Sequence, residues 1–261
     1  MADLFTSFSP SSSIFIQGAS RGLGLAFTEA ALEDSQVDTV LATSRHPQRS
    51  DELSRLKSQH GDRLMVRAMD VADESSIEAV AEDFGATQKS LQLIINVAGV
   101  LHDEERQMMP EKKLEELDPE DAVYSFRVNA LGPLLVARHF LPYLNSDRAV
   151  IANISARVGS IGANEIGGWY SYRASKAAQN MFTRTLAIEL GRYRKSHQAI
   201  CVALYPGTVK TSLSAPFRSH VKEQDQFTPE RAARQLMEII DGLDKDDQGR
   251  FIAWDGETIE W

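Results

Sequence analysis

Short apolar runs alternate with longer stretches of helical spacing along the whole 261-residue chain. Residues 13–17, 39–43, 64–68, 91–95, 149–154, 199–204 and 250–253 predict seven strands. Several of these are apolar throughout rather than alternating, as parallel strands covered on both faces require. The segments between them open with helix-start signals. Asp73 precedes an acid and then apolar spacing, and Asp118-Pro119 and Thr228-Pro229 each place a proline just inside a capping residue. Strand–helix alternation over the full length predicts an α/β fold, doubly wound, with a mostly parallel seven-stranded sheet and helices on both faces. No linker, repeat or low-complexity block divides the chain, so one domain is expected over 1–261. The serine-rich stretch before the first strand makes 1–12 an expected loose N-terminal tail.

Composition narrows the function classes. A net charge of −9 disfavours nucleic acid and anionic membrane as partners. No window approaches eighteen apolar residues, and the first thirteen residues carry no basic side chain, so neither a membrane span nor a targeting peptide is expected. The six histidines have no metal-ligand spacing and the single cysteine, Cys201, has no partner for a disulfide or zinc site, so no metal is expected. Cys201 lies in an apolar run and reads as a buried, inert thiol. The expectation is a soluble, cytoplasmic protein.

The first strand runs into Gly18-Ala19-Ser20-Arg21-Gly22-Leu23-Gly24, and a helical pattern follows. Glycines there let the backbone turn tightly and approach a pyrophosphate seated on the helix N-terminus, which makes the fold a single-domain Rossmann fold for a dinucleotide. The second strand ends in Thr43-Ser44-Arg45-His46, with no acid before Asp51 to bind a ribose 2′-hydroxyl. A guanidinium from Arg45, helped by Arg21, suits a 2′-phosphate and so predicts NADP(H) over NAD(H).

Tyr172 and Lys176 are four apart in a helical stretch and share one face. A phenol of ordinary pKa about 10 is a poor acid near neutrality. A neighbouring ammonium favours the phenolate and tunes it for proton transfer. The pair suits a general acid for a carbonyl oxygen or a general base for a hydroxyl.

Together these residues resemble the short-chain dehydrogenase/reductase superfamily, in the family's order and over essentially the whole chain. Gly18, Gly22 and Gly24 match its glycine turn, with Ser20, Arg21 and Leu23 among the cofactor contacts the resemblance implies. Asp70-Val71 resembles the pair that holds the adenine. Asn96-Val97-Ala98-Gly99 is similar to the family's N-N-A-G, with Val97 in its second place. Asn129 matches the helix asparagine of a proton relay, and Ser155 the catalytic serine that hydrogen-bonds the substrate oxygen. Pro206-Gly207-Thr208-Val209-Lys210-Thr211 matches the segment after the sixth strand, where the resemblance implies that Thr211 and the backbone around Val209 fix the carboxamide, with Pro206 and Gly207 also among the cofactor contacts. Lys176 is then expected to hold the nicotinamide ribose as well as to tune Tyr172, and Ser44 to join the ribose site. The implied catalytic set is Asn129, Ser155, Tyr172 and Lys176.

Ser155 and Tyr172 are seventeen positions apart, more than most family members show, so residues 159–168 form a longer, glycine-rich loop. Ile161, Ile166 and Trp169 either line the pocket or pack it. Tyr170 reads as a pocket or packing residue, and His102 as part of a solvated loop. Residues 212–227, with Leu213, Phe217 and Phe227, fall where the family carries a loop that closes over substrate, which points to an apolar or aromatic carbonyl compound. The ending 251–261 resembles a subgroup that includes sniffer-type carbonyl reductases and C-factor-like signalling proteins. The resemblance implies an NADP(H)-dependent carbonyl reductase; the alternatives are a C-factor-like dinucleotide-binding signalling protein with incidental turnover, or an NAD-linked alcohol dehydrogenase. It also implies a homodimer or homotetramer, paired through helices at 119–146 and 170–196.

Overall fold

The computed structural model describes residues 4–193 and 198–261, apart from the side chains of Tyr193 and His220. Its strands are β1 (Ser12–Gln17), β2 (Val37–Ser44), β3 (Leu64–Ala68), β4 (Leu91–Asn96), β5 (Ala149–Ile154), β6 (Ala199–Tyr205), β7 (Thr208–Val209), β8 (Gln226–Phe227) and β9 (Phe251–Ala253). Seven of them form one sheet in the order β3-β2-β1-β4-β5-β6-β9, and every pairing in it is parallel. The helices are α1 (Gly22–Glu33), α2 (Asp51–His60), α3 (Glu74–Gly85), α4 (Pro119–Phe126), α5 (Gly132–Phe140), α6 (Tyr170–Tyr193) and α7 (Pro229–Gly242). Among the described residues, no helix is long and apolar enough to cross a membrane.

The continuous apolar strands feed two cores by simple alternation. Ile14, Ile16, Leu93, Ile95, Val150 and Ala152 face one side, where they pack with residues of α1 and α7. Phe15, Ile94, Ile151 and Cys201 face the other, with residues of α3, α5 and α6. Burial pushes the Cys201 thiol up to about 12, so it is packing rather than chemistry. The capping signals act as read: Asp73, Asp118 and Thr228 each accept a backbone N–H at the start of α3, α4 and α7.

The N-terminal expectation needs correction. Residues 4–12 are not a loose tail; residues 1–3 lie outside the described residues. Phe5 and Phe8 are buried and stacked 4.9 Å apart, which contributes roughly 1.5–3 kcal/mol per side chain. The Asp34 carboxylate accepts the Leu4 and Phe5 amides, and Asp241 accepts from Thr6 and Ser7. Arg148 completes this anchor: its guanidinium donates to the carbonyls of Ile240, Asp241 and Leu243 and lies over the Phe8 ring.

Strand order reverses at β1, which has β2 on one side and β4 on the other. In a doubly wound sheet the crevice beyond the strand C-termini at such a point is where a ligand seats. The loops after β1, β2, β4, β5 and β6 all open there.

Candidate active site

The glycine turn after β1 is built for close backbone approach. Gly18 has φ +88°, and a Cβ on it would lie 2.6 Å from the Ala98 nitrogen. A Cβ on Gly24 would lie 2.1 Å from the Gly18 carbonyl oxygen, so α1 starts flush against the turn. The amides of Gly18 and Ala19 donate to the Thr43 carbonyl at 2.9 and 2.8 Å, which ties the turn to β2. Ser50 donates its hydroxyl to the Ser20 carbonyl from the other side. Leu23 is buried in the first turn of α1. Arg21 stands exposed at the N-cap of that helix, and no side chain caps the helix's first amides.

At the end of β2 the hydroxyls of Thr43 and Ser44 are buried with no hydrogen-bond partner among the described residues. Buried polar atoms are normally satisfied, so two orphans beside a glycine turn mark a place for a polar ligand. The exposed Arg45 guanidinium donates to the Tyr124 hydroxyl at 3.2 Å, and the Arg106 guanidinium covers the same ring. Val71 packs against Gly132, while the Asp70 carboxylate accepts the Ala72 amide. Asn96 donates to Asn153 across β4 and β5, and the Ala98 amide donates to Gln17. A Cβ on Gly99 would stand 3.3 Å from Asn129 Oδ1 and 3.6 Å from Lys176 Nζ. Gly207 follows Pro206 with φ +76°, and the Thr211 amide donates to the Val209 carbonyl. Thr211 then reaches back to the glycine turn, its methyl 3.0 Å from a Cβ placed on Gly22. Glycine turn, uncapped helix start, orphaned hydroxyls and exposed guanidiniums together fit a dinucleotide with an extra phosphate on its ribose.

The catalytic candidates converge beyond β5. Ser155 is buried, and its hydroxyl donates to Asn180 Oδ1 at 2.6 Å. Asn180 in turn donates to the Gly159 carbonyl, which fixes which way the amide faces. A hydroxyl has one hydrogen, so a substrate oxygen has to compete with Asn180 for it.

Tyr172 and Lys176 are both buried on α6, one turn apart. Burial, then the neighbouring Tyr205, pushes the Tyr172 phenol above its ordinary range. Burial alone pulls Lys176 down to about 7. Desolvation drives both groups toward neutrality, against the downward tuning of the phenol that the spacing predicts.

Asn129 sits in a π-helical turn, Arg127–Leu131, between α4 and α5. Pro133, four residues on, has no N–H for the Asn129 carbonyl and its ring displaces that carbonyl, so the helix widens there. The Asn129 side chain bonds the Val100 amide and carbonyl and receives no direct bond from Lys176; its Nδ2 also donates to Ser175.

One wall of the pocket is aromatic. Trp169 packs edge-on against Tyr172 at 6.2 Å and against Phe217 at 5.0 Å, and Phe217 meets His102 at 5.9 Å. Gly167, Gly168 and Trp169 are all left-handed, at φ +72°, +66° and +52°. For a bulky residue that is a strained backbone held by its surroundings. The Glu111 carbonyl accepts the Trp169 amide, while the buried Glu111 carboxylate accepts the amide and hydroxyl of Ser171 at the start of α6. Sequence reading missed Glu111, Asn180 and Gln179. The last two were within reach, at three and four residues past Lys176 on the same helix face.

Four expectations change. Ile161 and Ile166 are exposed, whereas Trp169 packs against Tyr172 and Phe217. Tyr170 is exposed at the first residue of α6 rather than packed. Phe227 belongs to the core, edge-on to Trp254 at 4.6 Å, so only Phe217 of the two is at the site; His102 is half-buried against it rather than solvated.

The sequence profile described as short chain dehydrogenase matches residues 12–222. A curated relative, C-signal of Myxococcus xanthus, is 35% identical over 150 residues, covering 57% of this chain and 83% of its own. The crystal structure of an NADPH-bound carbonyl reductase from chicken fatty liver is 31% identical, with a TM-score of 0.84 over 97% of this chain and 100% of that one. Carbonyl reductase Sniffer of Drosophila melanogaster is 25% identical, with a TM-score of 0.83 over the same shares.

Proposed function

The chain belongs to the short-chain dehydrogenase family, and from that premise we propose that it is a cytoplasmic NADP(H)-dependent carbonyl reductase for small apolar aldehydes and ketones. The observation that carries the reading is the burial of Tyr172 and Lys176 together, with Ser155 beyond β5 and an aromatic wall alongside. In this reading Tyr172 passes its proton to the substrate oxygen, and Ser155 stabilises charge developing there. Lys176 holds the ribose hydroxyls, and its charge stabilises the phenolate that Tyr172 becomes on giving up its proton. Asn129 continues the proton path through its displaced carbonyl. Trp169, Phe217 and His102 hold a flat apolar substituent against the carbonyl. NADPH, when bound, supplies the hydride.

Gly18, Ser20, Gly22, Leu23 and Gly24 would cradle its pyrophosphate. Ser44, Arg45 and Arg21 would take the 2′-phosphate, and Asp70, Val71 and Asn96 would hold the adenosine. Ala98, Gly99, Pro206, Gly207, Val209 and Thr211 would fix the nicotinamide half. The bound NADPH of the chicken carbonyl reductase supports this choice. Likeness to C-signal keeps a signalling role as the second reading. The deciding experiment is steady-state turnover of an aromatic and aliphatic carbonyl panel with NADPH. No turnover of any member favours the binder.

Cofactor choice has its own test. Arg45→Asp is expected to lower kcat/KM with NADPH by about tenfold to a hundredfold, because a guanidinium–phosphate pair is lost and a repulsion gained. With NADH the same substitution leaves kcat/KM unchanged or raises it. A wild type that prefers NADH would refute the assignment.

A homodimer or larger assembly is part of the same reading. Val123 and Phe126 on α4, Leu131 beyond it, and Met181 and Ile188 on α6 are exposed apolar side chains on the two helical segments concerned. Sedimentation equilibrium is expected to give at least a dimer, and a monomer at micromolar concentration overturns it.

A further inference from the structure

Among the described residues Lys176 is the one buried cation of the site, and neither of its hydrogen-bond partners carries a charge. Its Nζ donates to two acceptors, the Ile154 carbonyl at 2.9 Å and Gln179 Oε1 at 2.9 Å. The neighbouring groups are uncharged: the Tyr172 phenol on its own helix, the Ile154 backbone from β5, Gly99 after β4, and the Asn129 amide from the π turn. Tyr172 is the one titratable group among them.

An ammonium has three N–H bonds. Two are committed, which leaves one, and Gly99 lies beside it, with Nζ 3.6 Å from a Cβ placed there. Gln179 is itself buried, and its Nε2 has no hydrogen-bond partner among the described residues. An amide with an unmet donor is an expensive filler where leucine or methionine would pack as well. Its oxygen is the half that is used.

We propose that Gln179 is a positioning residue for Lys176, its amide oxygen holding the amine charged and steering the remaining N–H toward the cofactor side at Gly99. The inference rests on the role given to Lys176 above. Without that acceptor the ammonium is disfavoured by burial alone, so the group loses its proton at lower pH.

The test compares wild type, Gln179→Met and Gln179→Glu, with NADPH and 4-nitrobenzaldehyde, from about pH 5.5 to about pH 9.5. Methionine keeps the volume and removes the acceptor; glutamate keeps the acceptor and adds charge. In Gln179→Met the alkaline limb of kcat is expected to move down by about one pH unit, the scale of one hydrogen bond to a charged group. NADPH affinity, measured separately by fluorescence titration, is expected to fall about tenfold near pH 8 and little near pH 6 by the same scale. In Gln179→Glu both limb and affinity curve shift upward in pH. Should Gln179→Met not fold, the sign of the shift in Gln179→Glu decides: upward supports the proposal, none or downward overturns it. Wild-type curves for Gln179→Met overturn it outright. A fully active Tyr172→Phe would instead sink the reading of the site itself, and the NADPH titration still reports on Gln179 in that case.

Discussion

Tyr172→Phe is expected to stay folded and bind NADPH like the wild type, yet turn over carbonyl substrate about 10²–10⁴-fold more slowly, the span of a lost general acid. The change removes one hydroxyl and keeps the ring, so the edge-on contact with Trp169 and the burial on α6 survive. That loss corresponds to roughly 2.7–5.5 kcal/mol of transition-state stabilisation. It falls on kcat, because the proton is transferred only as the carbonyl oxygen gains charge. The pH dependence sharpens the test. Burial holds the phenol protonated well past neutrality, so proton donation itself does not limit the wild type at alkaline pH. Lys176, brought down to about 7 by burial, loses its charge first in the cofactor-free protein. With Lys176 holding the ribose as proposed, cofactor affinity is therefore expected to weaken as pH rises through and beyond neutrality, while the proton donor persists. Near-full activity of Tyr172→Phe by NADPH oxidation would refute the catalytic assignment.

The parts of this site legible in the sequence are those set by spacing along a single element. Gly18, Gly22 and Gly24 announce a turn: Gly18 and Gly22 take a positive φ that glycine adopts at no steric cost, and Gly18 and Gly24 meet backbone too close for a Cβ. Tyr172 and Lys176 are four apart, and the caps Asp73, Asp118 and Thr228 each act within three residues of themselves. What stayed hidden depends on contacts far apart in the chain. Glu111 lies in a loop with no periodic pattern, and reaches Ser171 sixty residues away. Arg45 meets Tyr124 across 79 residues, and Ser7 meets Asp241 across 234. Electrostatics was the other blind spot. Proximity of Tyr172 and Lys176 predicts attraction between their charged forms, but depth of burial, which spacing does not encode, decides the balance. Pro133 was a usable clue that went unused: its missing N–H acts on residue 129, the position of the asparagine proposed for a proton relay.

Gly24→Ala is expected to weaken NADPH binding by at least about a hundredfold, since a misplacement near 1 Å in a site of this kind costs that much. The new Cβ would stand 2.1 Å from the Gly18 oxygen, 2.8 Å from the Gly18 carbonyl carbon and 3.2 Å from the Ala19 Cα. All three are backbone atoms, which cannot swing aside as a side chain would. Gly18 cannot retreat either, because its amide is bonded to Thr43 and Ala98 closes its other side. The helix start must move away from the turn, and with it the amides that face the pyrophosphate. Because α1 also packs into the core through Phe27, Ala31 and Leu32, a stability loss of about 1–3 kcal/mol accompanies it, as overpacking usually brings. Two companion variants separate binding from stability. Gly22→Ala meets only the Thr211 side chain, at 3.0 Å, and is expected to lose about tenfold in affinity together with roughly 1–2 kcal/mol for its left-handed backbone. Gly61→Ala also needs a positive φ, +53° with ψ −127°, in a region essentially reserved for glycine, and has nothing within 4 Å of its Cβ, so it should lose stability alone. Fluorescence titration with NADPH and thermal melts of the three proteins give the comparison. If Gly24→Ala binds NADPH as tightly as Gly61→Ala does, the turn after β1 is a structural corner and not the seat of the cofactor.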